Sequence, residues 1–556
     1  MKKLFLLIAT VACFADNAAM AQRADYNIIP LPKQVESDST QHFTLQAGMG
    51  IAYDASNEEV TRNAKFLSEW VEQSTGIKLA LTPNDKKAAI RMSLGFVSDK
   101  KLRDGETLTE QQQEAYKINI DDKGIAIEAR NPVGLFRAAQ TLRKAIPIVK
   151  GKQDVKVEMP YAKIQDEPRF VYRGTLLDCG RHFFTVEVIK QMLDVMALHG
   201  CNQFHWHLTE DQGWRFEVKS LPNLALHGSV RQETVVGPNV GIYDGIPYGG
   251  YYTQDDCREV VRYAAERYIN VVPEIDLPGH MQSALHVFPH LGCTGGPYPV
   301  RTYWGVSREV LCGGNPETLT FLKTVLGELC EVFPSKYIHI GGDECPKDRW
   351  NKCAKCQAKI KELGIKGDDK HKFSAEHQLQ SWINREVEAF MKERGRAIIG
   401  WDEILEGGLS GSSIVMSWRG IKGGIAAARQ GHRVIMSPNV YSYIDHPQLK
   451  DYGKQPRTTD SYIVSASKIY SFEPLIPDSL TQEQQKLILG PQVNLWTEHV
   501  AYPQHAFYQL LPRLGASCEV QWCLPEQKDF EQFKNRLPRL KKIYDLMGVT
   551  YCRQIE

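Results

Sequence analysis

The sequence predicts an α/β fold, a (β/α)8 TIM barrel, preceded by a small N-terminal α+β domain. From about residue 169 onward, apolar strand-like runs alternate with loops and amphipathic helical segments, whereas the earlier part mixes hairpin and helix signals. Polar and aromatic residues directly follow the apolar runs. In (β/α)8 barrels the active site lies at that end of the strands, so the same pattern that predicts the fold also predicts where its chemistry lies.

Length and charge limit the possible functions. The 556 residues suffice for a barrel and an accessory domain. Lys and Arg (67) nearly balance Asp and Glu (66), so the net charge is only +1. A chain without a basic excess has no broad attraction to nucleic acid or to anionic membranes, and we expect neither as a partner.

The amino terminus has the layout of a cleavable signal peptide (residues 1–21). Lys2 and Lys3 precede an apolar stretch from Leu4 to Phe14, and small residues end the segment. We therefore expect export of a mature chain that begins at residue 22. The periplasm is the expected compartment, with secretion or surface attachment as alternatives.

Two further features bear on membrane attachment. Cys13 raises the alternative of lipid attachment, but Thr10 stands where such signals usually carry Leu. After the signal, the sequence has no stretch apolar enough to span a bilayer. We therefore expect no membrane span.

Residues 22–165 read as an α+β accessory domain. Two alternating runs flank Asp121-Asp122-Lys123-Gly124, which predicts a β-hairpin. Asn131 and Pro132 then predict the cap and first residue of a helix. No residue pattern here indicates chemistry, so we expect this domain to support the next one.

Residues 166–556 carry the predicted catalytic barrel and a C-terminal helical tail. Eight apolar runs are candidate strands: Gly174–Cys179, Asn202–Leu208, Asn270–Ile275, Tyr337–Gly342, Ala397–Trp401, Ser413–Trp418, Arg433–Ser437 and Gln492–Trp496. Helical stripes lie between them, and this alternation is typical of a closed (β/α)8 barrel.

The fourth run delivers two adjacent carboxylates, Asp343 and Glu344, after two glycines. In most glycosidases two carboxyl groups face each other across the scissile bond at about 5 Å or more, a gap that neighbours rarely span. If this pair acts on a glycoside, one carboxyl protonates the leaving oxygen while the other holds the substrate itself. An Asp-Glu pair in a helix-capping turn is the structural alternative.

Three strand ends carry a tryptophan next to a polar or charged residue: Trp401, Trp418 and Trp496. Aromatic faces pack against the C–H faces of sugars, while carboxylates and Arg bind hydroxyl groups, so this combination indicates a sugar pocket. A single tryptophan at a strand end is more often part of the core, but three at equivalent positions favour the pocket.

Histidines at other strand ends suggest a rival enzyme class. His205, His207, His280 and His339, with a strand-end Asp, resemble the ligand set of a metal-dependent amidohydrolase barrel. The His pair follows the second strand rather than the first, so buried, hydrogen-bonded histidines are the better interpretation. A lectin-like barrel that binds amino sugars without cleaving them is a further alternative.

The cysteines allow disulfides or a metal site. Cys293 and Cys312 bracket a loop that a disulfide would staple. Cys345, Cys353 and Cys356 lie close together, consistent with one disulfide and a spare thiol or with a partial metal site. A zinc site needs a fourth ligand, which the sequence does not identify, so we expect structural bridging rather than a metal.

Six segments together carry a family resemblance: LLDCGRHFF, FHWHLTEDQGWR, PEIDLPGH, HIGGDE, GWDE and LWTE. In this order they resemble the motifs of family 20 glycoside hydrolases, the β-N-acetylhexosaminidases. The resemblance spans nearly the whole mature chain. It implies exo-acting hydrolysis of terminal β-linked N-acetylglucosamine or N-acetylgalactosamine from glycans with retained configuration, without metal or cofactor.

The resemblance assigns roles to six residues around the reacting sugar. Glu344 matches the general acid and base, and Asp343 matches the carboxylate that orients the 2-acetamido group for attack through an oxazolinium intermediate. Tyr443 matches the donor to the acetamido carbonyl. Trp401 and Trp418 match parts of an aromatic box, which Trp496 completes.

The resemblance also assigns residues that bind hydroxyl groups or support the acid. Arg181, Asp445 and Glu498 match residues that bind sugar hydroxyls. His280 matches a histidine held by a carboxylate from the loop after the second strand. Glu210 stands where the family more often has Asp, which leaves that support in question, and Asp211 is the alternative partner.

The aromatic walls and the second carboxylate predict that Glu344 stays protonated near neutral pH. Gluco or galacto preference, the natural glycan and linkage, the oligomeric state and the cysteine pairing do not follow from the sequence.

Overall fold

The computed structural model describes most of the chain. Its described residues are 22–95, 110–149, 154–238, 241–368, 372–459 and 461–556. The expected signal peptide, including Cys13, lies outside these ranges.

An eight-stranded mixed sheet and its helices form the N-terminal part. The strands are β1 (Gln22–Arg23), β2 (Gln34–Leu45), β3 (Gly50–Ala52), β4 (Ala80–Leu81), β5 (Ile90–Leu94), β6 (Tyr116–Asp121), β7 (Gly124–Ala129) and β8 (Val157–Asp166). The helices are α1 (Glu58–Thr75), α2 (Glu110–Gln113) and α3 (Pro132–Ala145). The sheet order is β1-β8-β6-β7-β5-β3-β4, and β2 also pairs with β8.

Two local predictions are confirmed here. β6 and β7 form an antiparallel hairpin in which Asp121 pairs with Gly124. Gly124 has φ +109° and a Cβ there would lie 2.1 Å from the Ala89 carbonyl oxygen, so only glycine fits this turn. Helix α3 begins at Pro132 with Asn131 as its N-cap, although the Asn131 side chain makes no capping hydrogen bond.

The second part contains strands β9 to β20. They are β9 (Gly174–Asp178), β10 (Gln203–His207), β11 (Thr209–Glu210), β12 (Gly213–Trp214), β13 (Val230–Arg231), β14 (Tyr248–Gly249), β15 (Asn270–Glu274), β16 (Tyr337–His339), β17 (Ala397–Trp401), β18 (Ile414–Ser417), β19 (Arg433–Met436) and β20 (Ile488–Leu495). Eight of them, β9, β10 and β15 to β20, close into a barrel. Each pairs in parallel with both neighbours, so the predicted (β/α)8 barrel is confirmed.

Helices surround the barrel and form the tail. They are α4 (Val186–Leu198), α5 (Asn223–Gly228), α6 (Gln254–Ala265), α7 (Gln282–Val287), α8 (Pro316–Val332), α9 (Asp348–Lys352), α10 (Ala354–Glu362), α11 (Ala375–Glu393), α12 (Lys422–Arg429), α13 (Asn439–Ser442), α14 (Ala466–Tyr470), α15 (Gln482–Gln485), α16 (Pro503–Leu510), α17 (Arg513–Trp522) and α18 (Phe530–Met547). Among the described residues, no helix is both long and apolar enough to cross a bilayer.

Two predicted strands differ in extent from the observed ones. β16 ends at His339, before the glycines, because Gly341 and Gly342 take positive φ values of +63° and +96° that leave the sheet. The last strand begins at Ile488, four residues before the predicted start at Gln492. The remaining barrel strands match their predicted runs within one residue at either end.

Polar contacts join the two parts of the chain. The buried Glu114 accepts hydrogen bonds from Arg137 within its own part and from Arg173, next to the first barrel strand, over 2.8 and 2.6 Å. Nearby, Trp522 of helix α17 lies against Arg173 and donates its Nε1–H to Asp166 over 3.0 Å. Removing one partner of a buried ion pair is costly, so these contacts hold the N-terminal sheet against the barrel.

Candidate active site

The twelve residues that the sequence assigns to the site form one connected group at the carboxyl ends of the barrel strands. A chain of ring contacts and charge interactions links Arg181, Glu210, Asp211, His280, Asp343, Glu344, Trp401, Trp418, Tyr443, Asp445, Trp496 and Glu498. The structure therefore brings together every residue that the sequence assigned to the site.

The two glycines after β16 make room for Asp276. Gly342 donates its backbone N–H to Asp276 Oδ1 over 3.1 Å. A Cβ on Gly341 would lie only 1.7 Å from that oxygen. The chain thus wraps around the Asp276 carboxyl and delivers Asp343 and Glu344 beyond it.

His280 lies between the carboxylate pair and its own support. Its Nε2 is 3.6 Å from Asp343 Oδ2 and 3.6 Å from Glu344 Oε2. Its Nδ1 lies 2.6 Å from Glu210 Oε1. Burial opposes a charge on this ring, but Glu210 and Asp276 raise its pKa well above the ordinary value. A cation is therefore held against both carboxylates.

Of the two carboxylates that the sequence proposes as partners of His280, Glu210 makes the close contact and Asp211 does not. Burial opposes its charge, but the cations of Arg181 and His280 hold the pKa of Glu210 well below the ordinary value. Asp211 is 3.8 Å from His280 Nδ1 and instead accepts backbone N–H bonds from Gln282 and Ser307. Its role is to fix the neighbouring loops.

Asp343 and Asp276 form a second pair of acidic groups. Burial raises the pKa of Asp343 to about 6. The His280 cation opposes this shift, and the Glu344 charge adds to it. Burial and the Asp343 charge raise the pKa of Asp276 well above its ordinary value, which favours its neutral form.

The environment of Glu344 differs from the expectation. Its side chain is 38% exposed, so the tryptophans do not enclose it. The adjacent His280 ring, 3.6 Å away, and then the Arg181 charge lower the pKa of Glu344 below its ordinary 4.5. The expectation that the walls keep Glu344 protonated is therefore wrong for the free site, because the adjacent cation outweighs burial.

Aromatic rings line the side of the site next to Asp343. The ring centroids of Trp401 and Trp496 are 5.7 Å apart, and Tyr443 lies 6.0 Å from Trp496. Trp418 stacks with Tyr443 at 6.1 Å and an interplanar angle of 12°. Trp401 is buried, whereas Trp418, Tyr443 and Trp496 are partly exposed and offer apolar faces and a phenolic hydroxyl group to the same ligand.

Charged groups line another part of the site. Arg181 lies 3.1 Å from Glu210 and 4.0 Å from Glu498, and its guanidinium carbon is 5.1 Å from the centroid of the Trp496 ring. Burial and the Glu498 charge raise the pKa of Asp445 to about 8.

Five buried polar atoms of the twelve site residues have no hydrogen-bond partner among the described residues: Arg181 Nε, His280 Nε2, Asp343 Oδ1, Asp445 Oδ1 and Trp496 Nε1. Buried polar atoms normally find partners, so these five are suited to bind a polar ligand.

The histidines at the strand ends surround one carboxylate, as expected for buried, hydrogen-bonded histidines. Glu274, at the end of β15, contacts His205, His207 and His339 at 2.8, 2.5 and 2.9 Å and accepts the Nε1–H of Trp401 over 3.1 Å. His205 Nδ1 lies a further 3.0 Å from the side-chain amide of Gln492.

Sequence reasoning missed three acidic residues of the site: Glu274, Asp276 and Glu403. Glu403 accepts the Nε1–H of Trp418 over 2.8 Å, and burial with the Asp343 and Asp402 charges raises its pKa to about 8. All three lie in the segments PEIDLPGH and GWDE, so their position after a strand was the available signal.

The cysteine predictions need correction. All twelve cysteines of the described chain are free, so the expected bridges are absent there. Cys345 does not belong with its sequence neighbours. Cys353 and Cys356 instead group with Cys293 and Cys312, because the two loops that carry these pairs pack against each other.

Comparisons with known proteins agree with the barrel and its site. Residues 170–525 match the model of the glycosyl hydrolase family 20 catalytic domain, and residues 25–167 match family 20 domain 2. These matches favour a glycoside hydrolase over a metal-dependent amidohydrolase.

Individual relatives point the same way. A beta-hexosaminidase of Porphyromonas gingivalis is 38% identical over 553 residues, covering 98% of this chain and 67% of that protein. One from Vibrio furnissii is 34% identical over 89% of this chain and 76% of its own length. The crystal structure of an exo beta-N-acetylglucosaminidase of that family from Vibrio harveyi, in complex with N-acetylglucosamine, superposes with a TM-score of 0.81 at 29% identity, covering 96% of this chain and 79% of that one.

Proposed function

The chain belongs to glycosyl hydrolase family 20 and is a hexosaminidase, and from that premise we propose that it removes terminal β-linked N-acetylhexosamine residues by substrate-assisted catalysis. The observation that carries this proposal is the position of His280 Nε2, 3.6 Å from both Asp343 and Glu344. One cation serves two adjacent carboxylates, so these act from the same side of the substrate. This arrangement suits an acid and an orienting group rather than two groups on opposite faces.

In the proposed first step the substrate supplies the nucleophile. Asp343 accepts the acetamido N–H and Tyr443 donates to the acetamido carbonyl, so that this oxygen attacks the anomeric carbon. The bond from that carbon to the leaving oxygen breaks as Glu344 transfers its proton to that oxygen. An internal nucleophile of this kind lowers the barrier by up to about 7 to 11 kcal/mol when well oriented.

In the second step Glu344 acts as a base. It removes a proton from water, the resulting oxygen bonds to the anomeric carbon, and the oxazolinium ring opens to restore the acetamide and Asp343. Two displacements at the same carbon retain its configuration. The proton that Glu344 gave to the leaving group is thereby replaced.

Substrate binding explains how a largely ionised Glu344 becomes an acid. A bound sugar covers the exposed part of this side chain and displaces water, which raises the pKa of a carboxyl group. The proton that the free site holds on Asp343 is then available to Glu344.

The exo mode is supported by the charged side of the site. Arg181, Asp445 and Glu498 offer a guanidinium and two carboxyl groups to the hydroxyls of one terminal sugar. Arg181 and Asp445 each present an unpaired buried atom, which suits a fixed set of hydroxyls rather than a continuing chain. The Vibrio harveyi relative is itself described as an exo enzyme that holds N-acetylglucosamine.

The decisive experiment compares 4-nitrophenyl β-glycosides of N-acetylglucosamine, N-acetylgalactosamine and glucose on the wild type, Asp343→Asn and Glu344→Gln. We expect cleavage of the acetamido sugars but not of the glucoside, with strong loss in both variants. Cleavage of the glucoside, or full activity of Asp343→Asn, contradicts the role of the acetamido group. Binding of the acetamido sugars without any turnover indicates the lectin-like alternative.

We further propose that the chain is exported, to the periplasm, with cleavage after residue 21. The basic start and apolar stretch of the first residues support this proposal. Cell fractionation combined with N-terminal sequencing tests it. Activity confined to the cytoplasm, or a protein that retains Met1, contradicts it.

A further inference from the structure

We propose that Cys293, Cys312, Cys353 and Cys356 bind one Zn²⁺ ion in a closed tetrathiolate site between the segments that follow His280 and Glu344. Their sulfur atoms all lie within 4.8 Å of one another. The separations are 3.9 Å between Cys293 and Cys356, 3.7 Å between Cys312 and Cys353, and 3.6 Å between Cys312 and Cys356.

These separations match a tetrahedron around a single ion. Four sulfurs at a Zn–S distance of about 2.3 Å lie about 3.8 Å apart. A disulfide requires about 2.05 Å, which none of the three measured pairs approaches. An iron–sulfur cube would spread the four sulfurs farther apart, since each binds a different iron atom. The compact group therefore suits one tetrahedral, thiophilic ion.

The chain around the four sulfurs is built for this approach. A Cβ on Gly314 would lie 2.1 Å from the backbone of Lys355, so only glycine lets the two loops come this close.

Sequence spacing and burial also fit a structural zinc site. Cys353 is the N-cap of helix α10 and Cys356 lies in its first turn, in the C-x2-C spacing common to zinc ligands. The positive end of the helix favours thiolates over thiols. Cys312, Cys353 and Cys356 are buried and Cys293 is half-buried, so all four coordination positions come from protein.

The proposed ion joins the two segments that carry the catalytic groups. Cys293 and Cys312 lie on the segment that follows His280, and Cys353 and Cys356 on the one that follows Glu344. Leu311, next to Cys312, donates its N–H to Pro278 over 3.0 Å and accepts the Trp350 Nε1–H over 2.9 Å. A zinc ion here would fix the distance between His280 and the carboxylate pair.

Metal content tests the proposal independently of activity. The full chain is expressed with its export signal and purified without chelators. Inductively coupled plasma mass spectrometry is expected to find about one zinc ion per molecule. All twelve described cysteines should react as thiols after denaturation with a chelator. Little zinc together with disulfides among the four cysteines would overturn the proposal, as would iron in place of zinc.

Two variants and a reconstitution complete the test. Cys353→Ser with Cys356→Ser should lose the zinc and melt at a lower temperature, whereas Cys330→Ser, at a half-buried cysteine on helix α8, should keep both. Zinc chloride added to reduced, chelator-stripped wild type should restore the melting temperature, and cobalt(II) should give the spectrum of a tetrahedral thiolate site. Full zinc content in the double variant contradicts the assignment. So does a melting temperature of the stripped protein that zinc does not raise.

Discussion

Glu210 Oε1 lies 2.6 Å from Nδ1 of His280, and this contact orients the opposite ring nitrogen between Asp343 and Glu344. Glu344, Asp343 and the His280 cation that they share therefore depend on Glu210, which follows a different barrel strand. Glu210 also lies 3.1 Å from Arg181, so it balances two cations at once.

Glu210→Gln should reduce both stability and activity. The change leaves the cations of Arg181 and His280 buried with one fewer counter-charge, and breaking such a buried pair costs about 3 to 5 kcal/mol. We expect a lower melting temperature and a lower kcat, measured by thermal denaturation and nitrophenyl glycoside hydrolysis. Asp211→Asn is the matched control, because Asp211 bonds mainly to backbone N–H groups. An equal loss of kcat in Asp211→Asn would show that Asp211 is the functional partner.

Asp343→Asn should abolish activity yet stabilise the fold at neutral pH. The folded protein raises the pKa of Asp343 from 3.8 to about 6. The folded state therefore holds this proton more tightly, and stability is lost as pH rises from about 4 through 6, by at most about 3 kcal/mol. An amide does not lose a proton, so the variant escapes this loss.

Thermal melts at pH 4 and pH 7.5 measure this difference. We expect the variant to gain stability relative to wild type at pH 7.5 only. Asp255→Asn, at a side chain that is 89% exposed, is the control and should show no such gain. A variant that is less stable than wild type at both pH values would refute the burial argument.

The pH dependence of kcat/KM should show a limb near pH 6. Catalysis needs one proton on the Asp343–Glu344 pair, and in the free site that proton has a pKa of about 6, raised chiefly by burial of Asp343. Above this pH the pair is fully ionised and kcat/KM should fall about tenfold per pH unit. The corresponding limb of kcat should lie at higher pH, because bound sugar covers Glu344. A kcat/KM that stays flat from pH 5 to 8 contradicts this assignment.

The parts of the site that follow from local pattern were predictable from sequence. Each barrel strand is an apolar run, and each side chain assigned to the site lies within a few residues of a strand end or in the loop after it. Parallel strands place all of these ends on one face, so sequence position alone brings Arg181 and Glu498 together although more than 300 residues separate them.

Properties that depend on contacts between loops were not predictable. Cys293 and Cys353 lie close together because two loops pack together around Gly314, and the sequence spacing of the cysteines does not indicate this packing. The pKa of Glu344 likewise depends on the approach of His280, which outweighs the aromatic walls that the sequence does show. Asp276 was overlooked because its importance comes from the glycines that wrap around it.

Asp445→Asn and Glu498→Gln should weaken substrate binding more than the chemical step. Both carboxyl groups lie at the charged side of the site with Arg181, and each offers hydrogen bonds to sugar hydroxyls. Removing one partner of a buried hydrogen bond costs about 1 to 3 kcal/mol, so each variant should lower kcat/KM about 5- to 150-fold, mainly through KM. Steady-state kinetics on the N-acetylglucosaminide measures this. A loss confined to kcat would place these residues in the chemical step instead.

Trp401 and Trp418 should respond differently to truncation, although both belong to the aromatic wall. Trp401 is only 1% exposed, bonds Glu274 through Nε1 and contacts the His339 ring, so Trp401→Ala should lower the free energy of unfolding by about 3 to 5 kcal/mol. Trp418 is half-buried, with its Nε1–H bonded to Glu403, and within the described part of the chain its one ring contact is the stack on Tyr443. Trp418→Ala should therefore fold nearly as well as wild type but bind the substrate more weakly.

Trp418→Phe separates the two contributions of that side chain, since it keeps an aromatic face and removes only the Nε1–H donor. We expect Trp418→Phe to retain most of the substrate affinity that Trp418→Ala loses, because stacking on the sugar depends on the ring face rather than on the donor. Thermal melts and KM values for the three variants decide the matter. If Trp418→Phe binds substrate as poorly as Trp418→Ala, then the hydrogen bond that positions Glu403, rather than the ring face, makes the main contribution of Trp418 to binding.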